Sequence, residues 1–109
     1  MNTPKKLLKL VQNAIDDLKG VNTVILDVRD LASFTDYMVI ASGTSSVHVK
    51  SIADNVAKET KKGGFSTISI EGHSYGEWVL VDLGDVAVHV MLPTIREFYQ
   101  LEKLWAKHE

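Results

Sequence analysis

The chain has 109 residues, of which 45% are hydrophobic and 24% charged, a balance that suits one modest core and is too apolar for a disordered polypeptide. Twelve Lys and Arg against 14 Asp and Glu give a net charge of −2, which removes the attraction needed for sequence-independent nucleic-acid binding. The absence of cysteine excludes disulfides, thiol catalysis and cysteine-based zinc sites. Apolar runs of about five residues fall far short of the roughly 18 that span a bilayer. We therefore expect a cytoplasmic protein with a single domain over residues 1–109.

The N-terminal segment carries the signals of an amphipathic helix. Thr3 is a good N-cap residue, and Pro4 falls at the first helical position, where its missing N–H costs nothing. Gly20 stands where a left-handed residue would end the helix. The apolar positions between them recur at helical spacing; they are Leu7, Leu8, Val11, Ala14, Ile15 and Leu18.

Two continuous apolar runs follow, at residues 24–28 and 37–41, and each has the length and the β-branched content of a strand. Such strands are usually buried on both faces of a sheet. A second helix is predicted over residues 47–62, because a turn rich in Ser and Thr precedes it and two glycines follow it.

The remaining predicted strands lie close together in the chain. They cover residues 65–70, 78–83 and 85–92, and only Gly84 separates the last two, which indicates a hairpin. A final helix is predicted to begin at Pro93. The element order α-β-β-α-β-β-β-α predicts a single α/β (α+β) domain, in which helices flank a mixed sheet of about five strands.

The Gly43 turn, residues 42–46 (Ser-Gly-Thr-Ser-Ser), is the first candidate for chemistry, because such a turn before a helix can direct N–H groups and hydroxyls at a phosphate. No P-loop lysine follows it, and no G-x-G-x-x-G run is present. Nucleotidyl transfer would also need paired carboxylates to hold metal ions. Neither Asp27 and Asp36 nor Asp82 and Asp85 provide them at i, i+2 spacing on one strand. A helix-capping turn is favoured, and a nucleotide-binding enzyme is the alternative.

The histidines form no metal-ligand pattern. His48, His73, His89 and His108 contain no pair at the spacing of one helix or strand face, and a zinc site needs at least three converging ligands. A hydrolytic nucleophile elbow of the G-x-S-x-G type is also missing. We therefore expect no catalytic site, no cofactor and no metal. His89 lies on the same side of its strand as Ala87 and Met91, opposite the valines, so it faces the less apolar side. A structural histidine is favoured, and a contact residue is the alternative.

Aromatic side chains and an arginine are concentrated in the last third of the chain. This composition is typical of the hot spots of protein interfaces. Trp78, at the start of a strand, and Tyr99, beside charged residues, are predicted to be partly exposed contacts. Phe98 and Trp105 are expected to close the core.

Several blocks in a fixed order form a more specific pattern than any single motif. The blocks are DYMVIASGTS at residues 36–45, HVKSIAD at 48–54, Glu71-Gly72, WVLVDLGDVAVHV at 78–90 and REFYQLEKLW at 96–105. Over nearly the whole chain they resemble the ribosomal silencing factor, or Iojap-like, family. The resemblance implies a sheet domain distantly similar in shape to nucleotidyltransferases but without their catalytic carboxylates.

The resemblance also implies a function and a contact surface. Members of the family bind the large ribosomal subunit through its fourteenth large-subunit protein, on the face that meets the small subunit. A body placed there blocks subunit joining sterically and lowers translation when nutrients are scarce. Carried over position by position, the partner-binding residues are Trp78, Leu83, His89, Met91, Arg96, Tyr99 and Glu102.

The charge of the chain agrees with a protein partner. A chain of charge −2 is repelled at long range by a particle dominated by RNA, so its affinity should come from a shaped patch on a ribosomal protein. Asp82, Asp85 and Glu102 are available to meet a basic surface. We expect little direct RNA contact and no membrane association. A homodimer that uses an exposed sheet edge or the aromatic residues is a further alternative.

Overall fold

The computed structural model describes residues 4–105, which form a five-stranded mixed sheet with helices on both faces. The strands are β1 (Val21–Asp27), β2 (Tyr37–Ser42), β3 (Ser69–Glu71), β4 (Trp78–Asp82) and β5 (Val86–Met91). The helices are α1 (Pro4–Asp17), α2 (Ser46–Lys62), α3 (Pro93–Tyr99) and α4 (Leu101–Trp105). The sheet order is β1-β2-β5-β4-β3, with β2 and β5 parallel and the other neighbours antiparallel. The predicted fold class is confirmed.

The two apolar runs that predicted strands take different places in the sheet. β2 lies between β1 and β5, and its residues 38–42 are buried, as expected of a strand covered on both faces. β1 is an edge strand that pairs only with β2 within the described part of the chain, and Val21 and Ile25 are exposed. The expectation that β1 is buried on both faces was therefore wrong, because helices do not extend fully over the edge of the sheet.

The ends of α1 and α2 lie largely where the sequence predicts them. The N-cap of α2 is Ser45, whose Oγ accepts the His48 N–H at 3.1 Å, and the left-handed Gly64 follows its last turn. At the end of α1 the left-handed residue is Lys19, with φ 59°, and not Gly20 as predicted. A side chain at Gly20 would collide with Ile15, so this glycine is required for close packing. Thr3 lies outside the described residues.

The predicted single C-terminal helix is divided at Gln100. This residue is left-handed, with φ 49° and ψ 51°, and its N–H donates to Arg96 O at 2.9 Å. The break redirects the chain so that Leu101 packs with Met91 and Ile40 beneath α4. It also leaves Phe98 and Tyr99 on the outside of the α3–α4 corner, with 80% and 53% of their surfaces exposed. The expectation that Phe98 closes the core was wrong for this reason.

The two faces of the sheet are covered to different extents. On one face, which we call the helix-covered face, the valines of β4 and β5 pack under α1 and α2 in the larger buried cluster. On the other face, which we call the open face, α3 and α4 cover Met38, Ile40 and Met91. Trp78, Leu80 and His89 on this open face are only partly buried. The polar and aromatic side chains of β4 and β5 are consequently presented at the surface.

Candidate functional site

Trp78 and His89 form the centre of an aromatic patch on the open face. Alternation places both side chains on this face, and His89 pairs with Leu80, two residues beyond Trp78 on β4. The Trp78 indole Nε1–H donates to His89 Nδ1 at 3.0 Å. The Tyr99 ring packs against the Trp78 ring, with their centroids 4.9 Å apart, and the centroids of the Phe98 and Tyr99 rings are 5.0 Å apart. These four residues are the aromatic patch, and the predicted partial exposure of Trp78 and Tyr99 is confirmed.

The hydrogen bond from Trp78 fixes the protonation state of His89. An indole can only donate, so His89 Nδ1 must be unprotonated and the neutral ring carries its proton on Nε2. Burial lowers the pKa of His89 to about 4. The ring is therefore uncharged at neutral pH, and its Nε2–H has no hydrogen-bond partner among residues 4–105 although it is not a buried atom.

Arg96 and Glu102 hold the α3–α4 corner in place. The buried Arg96 side chain donates from Nη1 to Ser42 Oγ at 3.0 Å, and from Nε to Glu102 Oε2 at 3.1 Å. These bonds join the end of β2 to both helices on either side of Gln100. Arg96 is thus largely enclosed and anchors the corner that carries Tyr99, whereas about a third of the Glu102 side chain is exposed beside the patch.

Besides the enclosed Arg96, two more of the seven predicted contact residues are buried and not exposed on this surface. Met91 is fully buried beneath the patch, in the cluster that contains Leu101. Leu83 lies beyond the end of β4 with only 7% of its surface exposed, and it packs in the cluster of the helix-covered face. The structure therefore brings Trp78, His89 and Tyr99 together at the surface, and it places Leu83 away from them.

A hollow of about 240 Å³ lies on the open face next to His89. Sequence reasoning did not single out Phe34, which lies in the β1–β2 connection, or Leu80. The alternation of β4 could have placed Leu80 beside Trp78, but Phe34 has no local signal because its position depends on the path of a loop. The lining residues are Phe34, Met38, Leu80, Asp82, Ala87, His89 and Trp105. Trp105 packs against the buried cluster, as expected, and also forms one wall of this hollow.

Comparison with known proteins identifies the family. The family model described as "Ribosomal silencing factor during starvation" matches residues 1–109. The chain belongs to this family. It is 48% identical over 100 residues to "Ribosomal silencing factor RsfS" of Haemophilus influenzae, covering 92% of this chain and 98% of that protein.

Solved structures show the same fold in relatives of this silencing-factor family member. A crystal structure of a protein from Chromobacterium violaceum superposes with a TM-score of 0.94 at 40% identity, covering 99% of this chain and 91% of that one. A crystal structure from Bacillus halodurans gives a TM-score of 0.85 at 38% identity, covering 96% and 98% of the two chains. The resemblance and the α+β fold expected from the sequence are therefore confirmed.

The Gly43 turn of this silencing-factor family member is occupied by its own hydrogen bonds. The Gly43 N–H donates to Met91 O at 3.1 Å, and the Thr44 N–H donates to His48 Nδ1 at 2.9 Å. A Cβ at residue 43 would lie 2.8 Å from the backbone nitrogen of Val49, so the glycine is needed for close packing. The donors that a phosphate would need from these two residues are already used.

The same turn is joined by His48 to Leu18, the residue that follows α1. Because His48 Nδ1 accepts the Thr44 N–H, its Nε2–H donates to Leu18 O, with 2.6 Å between the two atoms. This histidine therefore has a structural role. Across residues 4–105, no group of three or more His, Asp or Glu side chains is arranged to hold a metal ion. No helix in that range is both long and apolar enough to span a membrane.

Proposed function

We propose that this protein binds the large ribosomal subunit through its fourteenth large-subunit protein and sterically blocks joining with the small subunit, which represses translation under nutrient limitation. Family membership supports action as a ribosomal silencing factor. The observation that carries the contact surface is the exposed Tyr99 ring packed at a tilt against Trp78, which is itself hydrogen bonded to His89.

The aromatic patch has the chemistry of an interface hot spot. Large, rigid aromatic rings bury much area at little cost in conformational entropy, and Trp and Tyr are enriched among residues that dominate binding. Tyr99 is already positioned by Trp78 and by the Arg96–Glu102 contact on its corner. A surface with its side chains held in place loses less entropy on binding, which supports its use as the docking surface.

The charges around the patch favour a basic protein over RNA. Asp82 and Glu102 lie on or beside the open face, and His89 contributes no positive charge at neutral pH. Phosphates would be repelled by these carboxylates, whereas Lys or Arg side chains of a ribosomal protein would be attracted. Little direct contact with RNA is therefore part of the proposal.

Inhibition by this mechanism needs occupancy and no turnover. The described body measures 37 × 35 × 21 Å along its principal axes. A folded domain of this thickness, held between two surfaces that must meet, prevents them from closing because its packed interior resists compression. The protein would therefore act stoichiometrically, with inhibition following the fraction of large subunits occupied.

Sucrose-gradient sedimentation of purified subunits tests the proposal. We expect the protein to migrate with the large subunit and the joined particle to disappear as the protein approaches a 1:1 ratio. Tyr99→Ala and Trp78→Ala should each weaken binding by on the order of 1–3 kcal/mol if they are hot spots. Ile68→Ala, which truncates an exposed apolar side chain before β3, is the control and should bind normally. Normal binding by a folded variant with both substitutions would reject this surface.

A homodimer is the alternative to binding the large ribosomal subunit. Two copies could pair through the aromatic patch or through the open edges of β1 and β3. Analytical ultracentrifugation over a range of concentrations, for the wild type and Tyr99→Ala, distinguishes these arrangements. A dimer that uses the patch dissociates in the variant and competes with the large subunit, whereas a dimer through a strand edge does neither.

A further inference from the structure

The hollow shares only His89 with the aromatic patch, and its shape and polar groups specify a ligand. We infer that it receives one apolar side chain of the ribosomal protein partner, whose neighbouring basic residue pairs with Asp82. This inference rests on the proposed function, because it gives the chemistry of a second anchor point on the same open face. It also assigns a binding role to Phe34, Leu80 and Ala87.

The hollow is a formed cavity with apolar walls. The rings of Phe34 and Trp105 meet edge to face, with centroids 5.8 Å apart, and both line the hollow. Ala87 and Met38, both buried, line it from the adjacent strands β5 and β2. Phe34 leaves 63% of its surface exposed, so its ring is accessible to a side chain that enters the hollow.

The volume matches a side chain better than a free small molecule. Sites for small molecules typically enclose about 300–1,000 Å³, whereas this hollow has about 240 Å³. A branched or unbranched aliphatic side chain of a docked protein is small enough to enter it without moving its walls. Burial of that side chain would stabilise the complex by removing its apolar surface, and the exposed surface of Phe34, from water.

Two polar groups of opposite character line the hollow. His89 lines it and has an Nε2–H without a partner among residues 4–105, so it can donate to a backbone carbonyl of the partner. Asp82 accepts the Gly84 N–H through Oδ1 at 2.9 Å and is the charged residue that lines the hollow within the described chain. A donor and a carboxylate around an apolar centre fit an apolar side chain followed by Lys or Arg.

The hollow is continuous with the aromatic patch through the Trp78–His89 hydrogen bond. Trp78 borders the side of the open face that carries Tyr99, and His89 lines the hollow. Only His89 lies between Trp78 and the rest of the hollow. A protein that covers Tyr99 and Trp78 therefore needs to extend past this one side chain to cover the hollow. Continuity with the patch and the carboxylate on its rim both indicate the same basic protein partner as the occupant.

Filling the hollow from within provides the sharpest test. Ala87→Leu places a larger side chain in the hollow from β5, and we expect at least a 10-fold weaker affinity for purified large subunits. The matched control is Ala57→Leu, which makes the same change in a separate hollow between α2 and the segment leading into β3. This control should bind like the wild type. Circular dichroism and urea unfolding check that both variants are folded.

Two milder variants keep the inference testable if Ala87→Leu does not fold. Phe34→Ala removes an exposed wall and should weaken binding about 5-fold or more. Asp82→Asn keeps an oxygen for the Gly84 N–H while removing the charge, so it should weaken binding and make the affinity less dependent on salt. Each affinity is measured with purified large subunits at two salt concentrations.

The outcomes separate the hollow from the proposed function. If Tyr99→Ala loses binding while folded Phe34→Ala and Asp82→Asn bind normally, the hollow is not an anchor and the docking surface remains. If the wild type itself fails to bind the large subunit, both the function and this inference are rejected. Weakened binding by Phe34→Ala and Asp82→Asn, with normal binding by Ala57→Leu, supports the hollow as the second anchor.

Discussion

The helix-covered and open faces of the sheet are built from alternating residues of the same strands, and they differ in chemistry. On β5, Val88 faces α1 and α2 in a fully buried cluster, whereas His89 faces the opposite direction and is partly exposed. The first face is uniformly apolar. The second combines rings, a neutral histidine and a carboxylate over a partial cover of two short helices. A single strand therefore contributes to the buried core through one face and to the proposed docking surface through the other.

The largest effect expected from this comparison is a loss of stability on the helix-covered face. Ile52 of α2 is fully buried, so Ile52→Ala should lower the free energy of unfolding by about 2–5 kcal/mol through lost burial and a cavity. Phe98→Ala removes a larger but exposed side chain on the open face and should change stability by no more than about 0.5 kcal/mol. Urea unfolding measures both. Similar losses in the two variants would contradict the division between the faces.

The corner formed by α3 and α4 contains both a partly buried ion pair and part of the proposed docking surface. A substitution in this corner should lower the free energy of unfolding by an intermediate amount. Arg96→Met removes a buried cation and leaves Ser42 and Glu102 without their partner, which should cost roughly 2–3 kcal/mol. The cost is below that of a fully buried pair, because about a third of Glu102 is exposed. Urea unfolding gives the stability change.

The same variant separates a positioning role of Arg96 from a direct contact. If Arg96 positions Tyr99, then Arg96→Met should weaken binding to the large subunit, and Arg96→Lys should restore part of both stability and binding. The Tyr99 ring should also lose its fixed position beside Trp78, which NMR contacts between the two rings would report. Weak binding in a variant with unchanged stability and unchanged ring contacts would instead indicate a direct contact.

Local patterns predicted the helix-covered face well, because alternation and helical spacing record which residues are buried. The stripe of α1 and the valines of β5 were recognised in this way, whereas the continuous apolar runs of β1 and β2 did not show which of the two strands is central. The site was harder to predict. Leu83 lies on the helix-covered face, and the exposure of Phe98 depends on one left-handed residue, Gln100, that has no strong sequence signal. Phe34 approaches Trp105 across 71 positions of the chain, a tertiary contact that no local pattern records.

The smallest of the three predicted losses of stability, after those of Ile52→Ala and Arg96→Met, comes from protonation of His89 on the open face. Its pKa is lowered by burial from 6.5 to about 4, so the unfolded chain binds this proton more strongly than the folded protein. The contribution of neutral His89 to the free energy of unfolding is therefore fully present above pH 6.5 and is lost as the pH falls towards 4. The loss at pH 5 amounts to about 2 kcal/mol relative to neutral pH. Urea unfolding at pH 7 and pH 5 measures it.

His89→Gln provides the control, because glutamine takes up no proton in this range while other groups titrate as before. Between pH 7 and pH 5, the free energy of unfolding of the wild type should therefore fall by about 2 kcal/mol more than that of the variant. Protonation would also place a positive charge on the ring and prevent Nδ1 from accepting the Trp78 N–H, which disrupts the centre of the aromatic patch. An equal pH dependence in both proteins would mean that His89 remains accessible enough to be charged without cost. The open face would then be solvated at its centre, and the dry, preorganised patch on which the proposed docking depends would not exist.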